Sequence, residues 1–202
     1  MYFSASEWFA LAISASFAAG LNVYATVATM GLLARSGVLQ LPPALASIGN
    51  WWVIGAALAL FALEFVADKI PVFDLLWNAL HTFVRIPIAA LIAYGATQRL
   101  SPQAQILAAV LGGLVALIAH SGKLAARSVV TPSPEPVSNA ALSLGEDVGA
   151  IGLTWFATHH PFIAAGVTGA AVITLIFAVH WLVRGVRRFF SSADQAIHRV
   201  EA

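Results

Sequence analysis

The sequence predicts an all-α integral membrane protein with about six transmembrane helices. Of its 202 residues, 60% are hydrophobic and only 9% are charged, whereas soluble domains carry about 25% charged residues. The mean hydropathy is +0.86, and long apolar runs alternate with short polar or proline-containing segments. Because a soluble fold of this size could not bury so much apolar surface, lipid must solvate much of the chain.

Composition also excludes several classes of function. The net charge of +1 gives no reason to expect a nucleic-acid partner. The chain has no cysteine, which rules out disulfides, thiolate chemistry and cysteine-ligated zinc. The first apolar run follows no basic segment and is too long for the hydrophobic part of a signal peptide, so we interpret it as the first span. No phosphate-binding loop or hydrolase motif occurs, and we expect no cofactor.

Six apolar segments can reach the roughly 20 residues that a transmembrane helix needs. They are Trp8 to Ala34, Trp51 to Lys69, a segment ending at Thr97, Gln103 to Val130, a segment ending near Thr158, and Pro161 to Arg184. The third and fifth reach full length only when the polar residues before them are helical as well. Residues 1–190 would then form one polytopic membrane domain, and residues 191–202 a polar cytoplasmic tail.

Lysine and arginine predict the orientation, because the cytoplasmic ends of transmembrane helices carry an excess of them. The end of the last span and the tail after it carry four arginines, Arg184, Arg187, Arg188 and Arg199. The C-terminus should therefore be cytoplasmic, and six spans place the N-terminus on the same side. The loops after spans 1, 3 and 5 would then lie outside, and they contain only Arg35 and Arg99.

The segment before the third span carries a polar stripe. Between Asp74 and Arg85, the polar residues recur at helical spacing and share one face, and they are Asp74, Asn78, His81, Thr82 and Arg85. One interpretation is an amphipathic helix that lies in the membrane interface. The other is a re-entrant or spanning helix whose stripe lines a polar cavity or meets a charged partner helix.

A second charged segment, from Val137 to Asp147, resembles the first. When Asn78 is aligned with Asn139, Arg85 falls opposite Glu146. Both segments follow a charged helix end and a proline-containing loop, and both run into a short apolar span. This similarity indicates a degenerate parallel repeat of spans 2–3 and 4–5, with chance similarity between helical segments as the alternative.

The remaining charges complement one another across the two halves. Span 2 ends in acidic residues and span 4 in basic residues. Because an unpaired charge at the middle of the bilayer costs about 2.5–3.5 kcal/mol, these residues should pair with one another or face water. We therefore expect one polar cluster that joins spans 2 to 5, in which Arg85 and Glu146 form a pair. The candidate substrate- or ion-binding residues are Asn22, Glu64, Asp68, Lys69, Asp74, Asn78, His81, Arg85, His120, Lys123, Arg127, Asn139, Glu146 and Asp147. We expect no catalytic residue and no metal ligand among them.

The string from Glu64 to Pro71, the residues Lys123 to Arg127, and the string from Pro134 to Asn139 resemble a bacterial integral-membrane family known as domain of unknown function 4126. The resemblance covers roughly Trp8 to Val183. It implies a polytopic protein of the bacterial inner membrane, and it implies no activity and no catalytic residues.

Two functions compete for these residues. The first is a small transporter or carrier, in which Glu64 and Asp68 bind protons or cations and the basic residues hold an anionic, phosphate-bearing or lipid substrate. The second is a structural or assembly protein whose buried ion pairs only fix helix packing. A water-filled pocket at the charges would favour transport, and a dry, fully paired cluster would favour structure. A metal-dependent enzyme is disfavoured by the basic residues, and the sequence leaves a homo-oligomer open.

Overall fold

The computed structural model describes residues 3–68, 71–130 and 136–200, except for the side chains of 71–79, 129–130, 136–137, 139 and 186–200. Helices and short connections make up these residues. The α-helices are α1 (Ala5–Leu21), α2 (Val23–Arg35), α3 (Trp51–Ala67), α4 (Pro71–Ala96), α5 (Pro102–Val130), α6 (Pro136–His159) and α7 (Pro161–Val200), and a 3₁₀ helix spans Pro43–Gly49. The prediction of an all-α chain is confirmed.

The first predicted span is not one helix, and this part of the prediction is wrong. Asn22 adopts an extended conformation between α1 and α2, with φ −148° and ψ 105°. Its backbone N–H closes the end of α1 on Ala18, and its side-chain oxygen accepts a hydrogen bond from the Ala25 N–H at the start of α2. The residue therefore caps both helices, which is why the chain can break here without leaving these groups unsatisfied.

The second predicted span corresponds to α3, which ends close to the predicted position. The 3₁₀ helix before it meets α3 at a bend of 62°. Asn50 caps the start of α3 by accepting a hydrogen bond from the Trp52 N–H. Asp68 forms the C-cap, and α4 begins at Pro71. Proline suits the first turn of a helix because its missing N–H would have no partner there.

The polar stripe belongs to a long continuous helix. The predicted helical segment from Asp74 onward lies within α4, which continues through Pro87 to Ala96. His81 and Arg85 are 6% and 0% exposed, whereas Leu80 and Phe83 are 65% and 81% exposed. The described part of the stripe thus faces the protein, and the apolar face is turned outward.

The last three helices follow the remaining predicted spans. Helix α5 matches span 4, α6 includes the charged segment before span 5, and α7 begins at Pro161 as expected. The backbone of α7 continues to Val200, so the predicted polar tail is helical as far as that residue. The side chains of this last portion lie outside the description.

Two described helices are long and apolar enough to cross a membrane, Pro102–Ser128 and Pro161–Gly185, and the bent pair before α4 gives a third candidate. Three further apolar helices are shorter, namely α1, α2 and Leu80–Ala96. Helix α1 lies at the centre and packs against α4, α5, α6 and α7. Its Gly20 allows a close approach to α5, because a Cβ there would lie 2.5 Å from the Ala116 carbonyl oxygen.

Candidate functional site

Six charged side chains from four helices meet inside the bundle, and we call them the charged cluster. Its members are Glu64 and Asp68 at the end of α3, Arg85 on α4, Lys123 and Arg127 on α5, and Glu146 on α6. Their side chains are between 0% and 7% exposed. Charges this far from water need partners, and each of these six has at least one within 4 Å.

Glu64 connects α3 to basic side chains on α4 and α5. Its Oε1 accepts a hydrogen bond from Arg85 Nη2 and a longer one from Lys123 Nζ, at 3.4 Å. All three side chains are fully buried. This carboxylate therefore balances one cation on α4 and shares a second on α5.

The second half of the cluster is built around Arg127. Its Nη2 donates to Asp68 Oδ2 at 2.7 Å and to Glu146 Oε2 at 2.9 Å. Lys123 Nζ lies 3.0 Å from the same Glu146 oxygen and 3.7 Å from Asp68 Oδ2. The Ser143 hydroxyl also donates to Asp68 Oδ2, at 2.9 Å. The α3 and α6 acids thus share the two cations of α5.

Next to Arg85, the geometry fixes the protonation of His120. Arg85 Nη1 lies 2.9 Å from His120 Nδ1, and a guanidinium can only donate. The Nδ1 atom must therefore accept, so His120 is neutral and carries its proton on Nε2. That Nε2 lies 2.7 Å from the Thr82 hydroxyl, to which it donates. His120 thus adds no charge to the cluster.

The break between α1 and α2 adjoins the charged cluster. Asn22 Nδ2 donates to Asp147 Oδ1 at 2.8 Å, and both residues are buried. Lys123 Nζ also lies 3.4 Å from the backbone oxygen of Leu21, the last residue of α1. The unpaired carbonyl groups at the C-terminal end of a helix carry a partial negative charge, which attracts the ammonium group of a lysine. The broken helix and the charged cluster therefore form one polar region.

His81 contacts α2 beside this region. Its Nε2 lies 2.7 Å from the Tyr24 hydroxyl, and the two rings stack edge to face with centroids 5.4 Å apart. The sequence analysis did not include Tyr24 among the site residues. Its position two residues after Asn22, near the centre of span 1, is the signal that pointed there.

The structure brings together most of the predicted site residues, with one pairing corrected. Arg85 contacts Glu64, and Glu146 contacts Lys123 and Arg127, so the expected pair of Arg85 with Glu146 is wrong. Helix rotation turns Arg85 toward α3 and α5. Lys69 lies outside the described residues, and the side chains of Asp74, Asn78 and Asn139 do as well. The binding role of all these residues stays a prediction.

The ionisable side chains of this region can be counted among the described residues alone, since Lys69 and the side chain of Asp74 lie outside them. The described carboxylates of the region are Glu64, Asp68, Glu146 and Asp147, and its permanent cations are Arg85, Lys123 and Arg127. One negative charge is in excess when all the acids are ionised. Within the described part of the chain, no group of three or more histidine or acidic side chains is arranged to hold a metal ion.

The fold defines an all-helical protein whose apolar helices indicate a membrane protein with buried ion pairs. Residues 9–184 match the family described as Domain of unknown function (DUF4126), and the chain belongs to that family. Neither a curated protein nor a solved structure matches the chain.

Proposed function

We propose that this protein is a small membrane carrier, in which the charged cluster binds an anionic group such as a phosphate together with a proton. The observation that carries the proposal is the polar region itself. It combines three buried cations held by carboxylates with a helix that breaks at the same place. Ionisable groups at membrane depth indicate a functional site by default.

The coupling follows from competition for the cations. Ionised carboxylates occupy Arg85, Lys123 and Arg127, so that an anionic substrate has no free cation to bind. When a carboxylate takes up a proton, its cation becomes available to the substrate. Proton binding and anion binding then favour each other, which is the requirement for moving both in the same direction.

The broken helix supports a carrier over a rigid scaffold. Discontinuous helices in transporters place helix ends and unpaired backbone groups beside the substrate or the coupling ion. Here the break at Asn22 brings the end of α1 next to Lys123 and the start of α2 next to Asp147. A structural network would gain little from interrupting its central helix.

The proposed topology has six spans. In this arrangement α1 and α2 together form one broken span, and α3, α4, α5, α6 and α7 form one each. Both termini face the cytoplasm of a bacterial cell, and the charged cluster lies in the cytoplasmic half of the membrane. The hairpins α3–α4 and α5–α6 then form a parallel repeat with inverted charge, since acids precede a base in the first and bases precede acids in the second.

A structural role is the second candidate, and the low exposure of the cluster favours it. Every cation of the cluster is paired, and none of the six side chains is more than 7% exposed. Buried ion pairs of this kind fix helix register in some proteins. On this view the protein is an assembly partner in the membrane, and the polar region binds nothing.

Proteoliposomes distinguish the two candidates. Purified protein is reconstituted in vesicles of phosphatidylethanolamine and phosphatidylglycerol that contain a pH-sensitive dye, and inorganic phosphate or glycerol phosphate is added outside. A carrier acidifies the lumen when the anion is added. Labelled phosphatidylglycerol, followed by quenching from outside, tests a lipid substrate in the same vesicles.

The matched variants are Arg127→Gln, which removes one cluster cation, and Arg35→Gln, which removes an arginine that contacts Trp51 outside the cluster. We expect Arg127→Gln to abolish anion-driven acidification or lipid movement and Arg35→Gln to preserve it. Wild-type vesicles that move none of the three probes, from protein that remains folded, would contradict the carrier and support the structural role.

A further inference from the structure

Asp147 differs from the other carboxylates of the polar region. Its Oδ1 accepts a hydrogen bond from Asn22 at 2.8 Å, and the residue is only 4% exposed. Its Oδ2 is buried and has no hydrogen-bond partner among the residues that the structure describes. Within the same residues, no lysine or arginine forms an ion pair with it.

The charged groups that act on Asp147 form their ion pairs with other residues. Lys123 on α5 attracts an ionised Asp147, whereas Glu64 and Asp68 on α3 repel it. Lys123 already contacts Glu64 and also Glu146, the neighbour of Asp147 on α6. Asn22 is neutral, and its own side-chain oxygen accepts from the Ala25 N–H.

We propose that Asp147 is the proton-binding group of the polar region and holds a proton on Oδ2 in this arrangement. A buried carboxylate without a cation of its own takes up a proton, because the charged form is costly away from water. The inference rests on the proposed function for its biological use, since a carrier needs a coupling proton.

Release of the proton would act on the break in the first helix. An ionised Asp147 attracts Lys123, whose ammonium group lies 3.4 Å from both Leu21 O and Glu64 Oε1. Movement of Lys123 toward α6 weakens both contacts. The protonation state of Asp147 is thereby linked to the end of α1 and to the pairing of Glu64.

Infrared spectroscopy of the purified full-length protein in lipid nanodiscs tests the assignment. We expect the carbonyl band of a protonated carboxylic acid in mildly acidic buffer and its loss as the pH rises. The band should be absent from Asp147→Asn and present in Glu7→Gln, the control variant, which removes a carboxyl group that contacts Ser4 outside the polar region. A wild-type spectrum without the band, or a band that persists in Asp147→Asn, would overturn the proposal.

A second variant covers the case in which Asp147→Asn does not fold. Asn22→Ser retains a side chain that caps helices but removes the amide that donates to Asp147. The band should remain in this variant and shift in frequency, and an unchanged frequency would contradict the assignment.

Thermal unfolding adds a readout of the same proton. If Asp147 binds its proton in the folded protein, wild-type stability should fall as the pH rises and Asp147 ionises, whereas Asp147→Asn should lose this dependence. A dependence that is identical in both proteins would count against the proposal. Because neither measurement involves transport, an assigned band without flux defeats only the carrier, and flux without a band defeats only the role of Asp147.

Discussion

Glu64 joins the basic side chains of two helices in the charged cluster. It is fully buried and contacts Arg85 and Lys123, which come from different helices. Removing its charge takes away the carboxylate that pairs with Arg85 among the described residues, in a place from which water is excluded. Loss of one partner of a buried pair costs about 3–5 kcal/mol, whereas replacing both partners is often close to neutral.

We therefore predict that Glu64→Gln is strongly destabilised and that Glu64→Gln with Arg85→Met recovers most of the loss. A charge swap is less suitable, because an arginine at position 64 would face Lys123. The measurement is the thermal midpoint in detergent for the wild type, both single variants and the double variant. Additive effects in this cycle would mean that Glu64 and Arg85 are not energetically coupled.

Gly20 permits the close contact between α1 and α5. A Cβ at this position would lie 2.5 Å from Ala116 O and 2.7 Å from Ala119 Cβ, so α1 and α5 would have to separate. We predict that Gly20→Ala costs about 1–3 kcal/mol, the usual cost of overpacking. Gly166→Ala is the control, because a Cβ there meets nothing within 4 Å. Equal thermal midpoints of the two variants would show that this contact is unimportant.

At the scale of the elements, the interruption of the first span was the main feature that the sequence did not predict. Apolar residues continue on both sides of Asn22, and hydropathy alone cannot distinguish a continuous helix from two capped halves. The interruption depends on tertiary contacts, since Asp147 on α6 holds the Asn22 side chain in its capping position. The stripe on α4 was predictable, because helical periodicity alone separates His81 and Arg85 from Leu80 and Phe83.

The double cap at Asn22 leads to a prediction about the broken helix. Asn22→Ala removes the side chain that caps α2 and the donor to Asp147, and each loss costs about 1 kcal/mol. Asn22→Ser retains a capping oxygen and should be affected roughly half as much. Thermal midpoints of the two variants in detergent provide the measurement. If Asn22→Ser is as unstable as Asn22→Ala, the cap contributes little.

At the scale of the whole molecule, the sequence predicted which residues would gather but not how they would pair. Counting residues along each predicted span places acids at the end of α3 and bases at the end of α5. The choice between Glu64 and Glu146 as the partner of Arg85 depends on how α4 is rotated and tilted against its neighbours. That orientation arises from packing contacts, such as those of Gly112 with Ala93 and Ser16, which no periodicity specifies.

The six-span topology predicts which loops an impermeant thiol reagent can reach. Because the chain has no cysteine, single cysteines can be introduced without background labelling. Cysteines at the exposed positions Gln40, Ser101 and His160 should be labelled in intact cells. A cysteine at Ser133, which lies outside the described residues, should be labelled only after the cells are opened. Labelling of Ser133→Cys in intact cells would contradict the proposed orientation.

The most direct test of a working charged cluster is anion-driven proton flux in vesicles that contain the double variant Glu64→Gln with Arg85→Met. This variant should fold, because Glu64 and Arg85 lose their charges together and Lys123 keeps its contacts with Asp68 and Glu146. It lacks a cation that the carrier needs, so we predict a near-wild-type thermal midpoint together with loss of the flux that wild-type vesicles show. Wild-type flux in the folded double variant would contradict the central claim, because the Glu64–Arg85 pair would then serve only to hold the helices together.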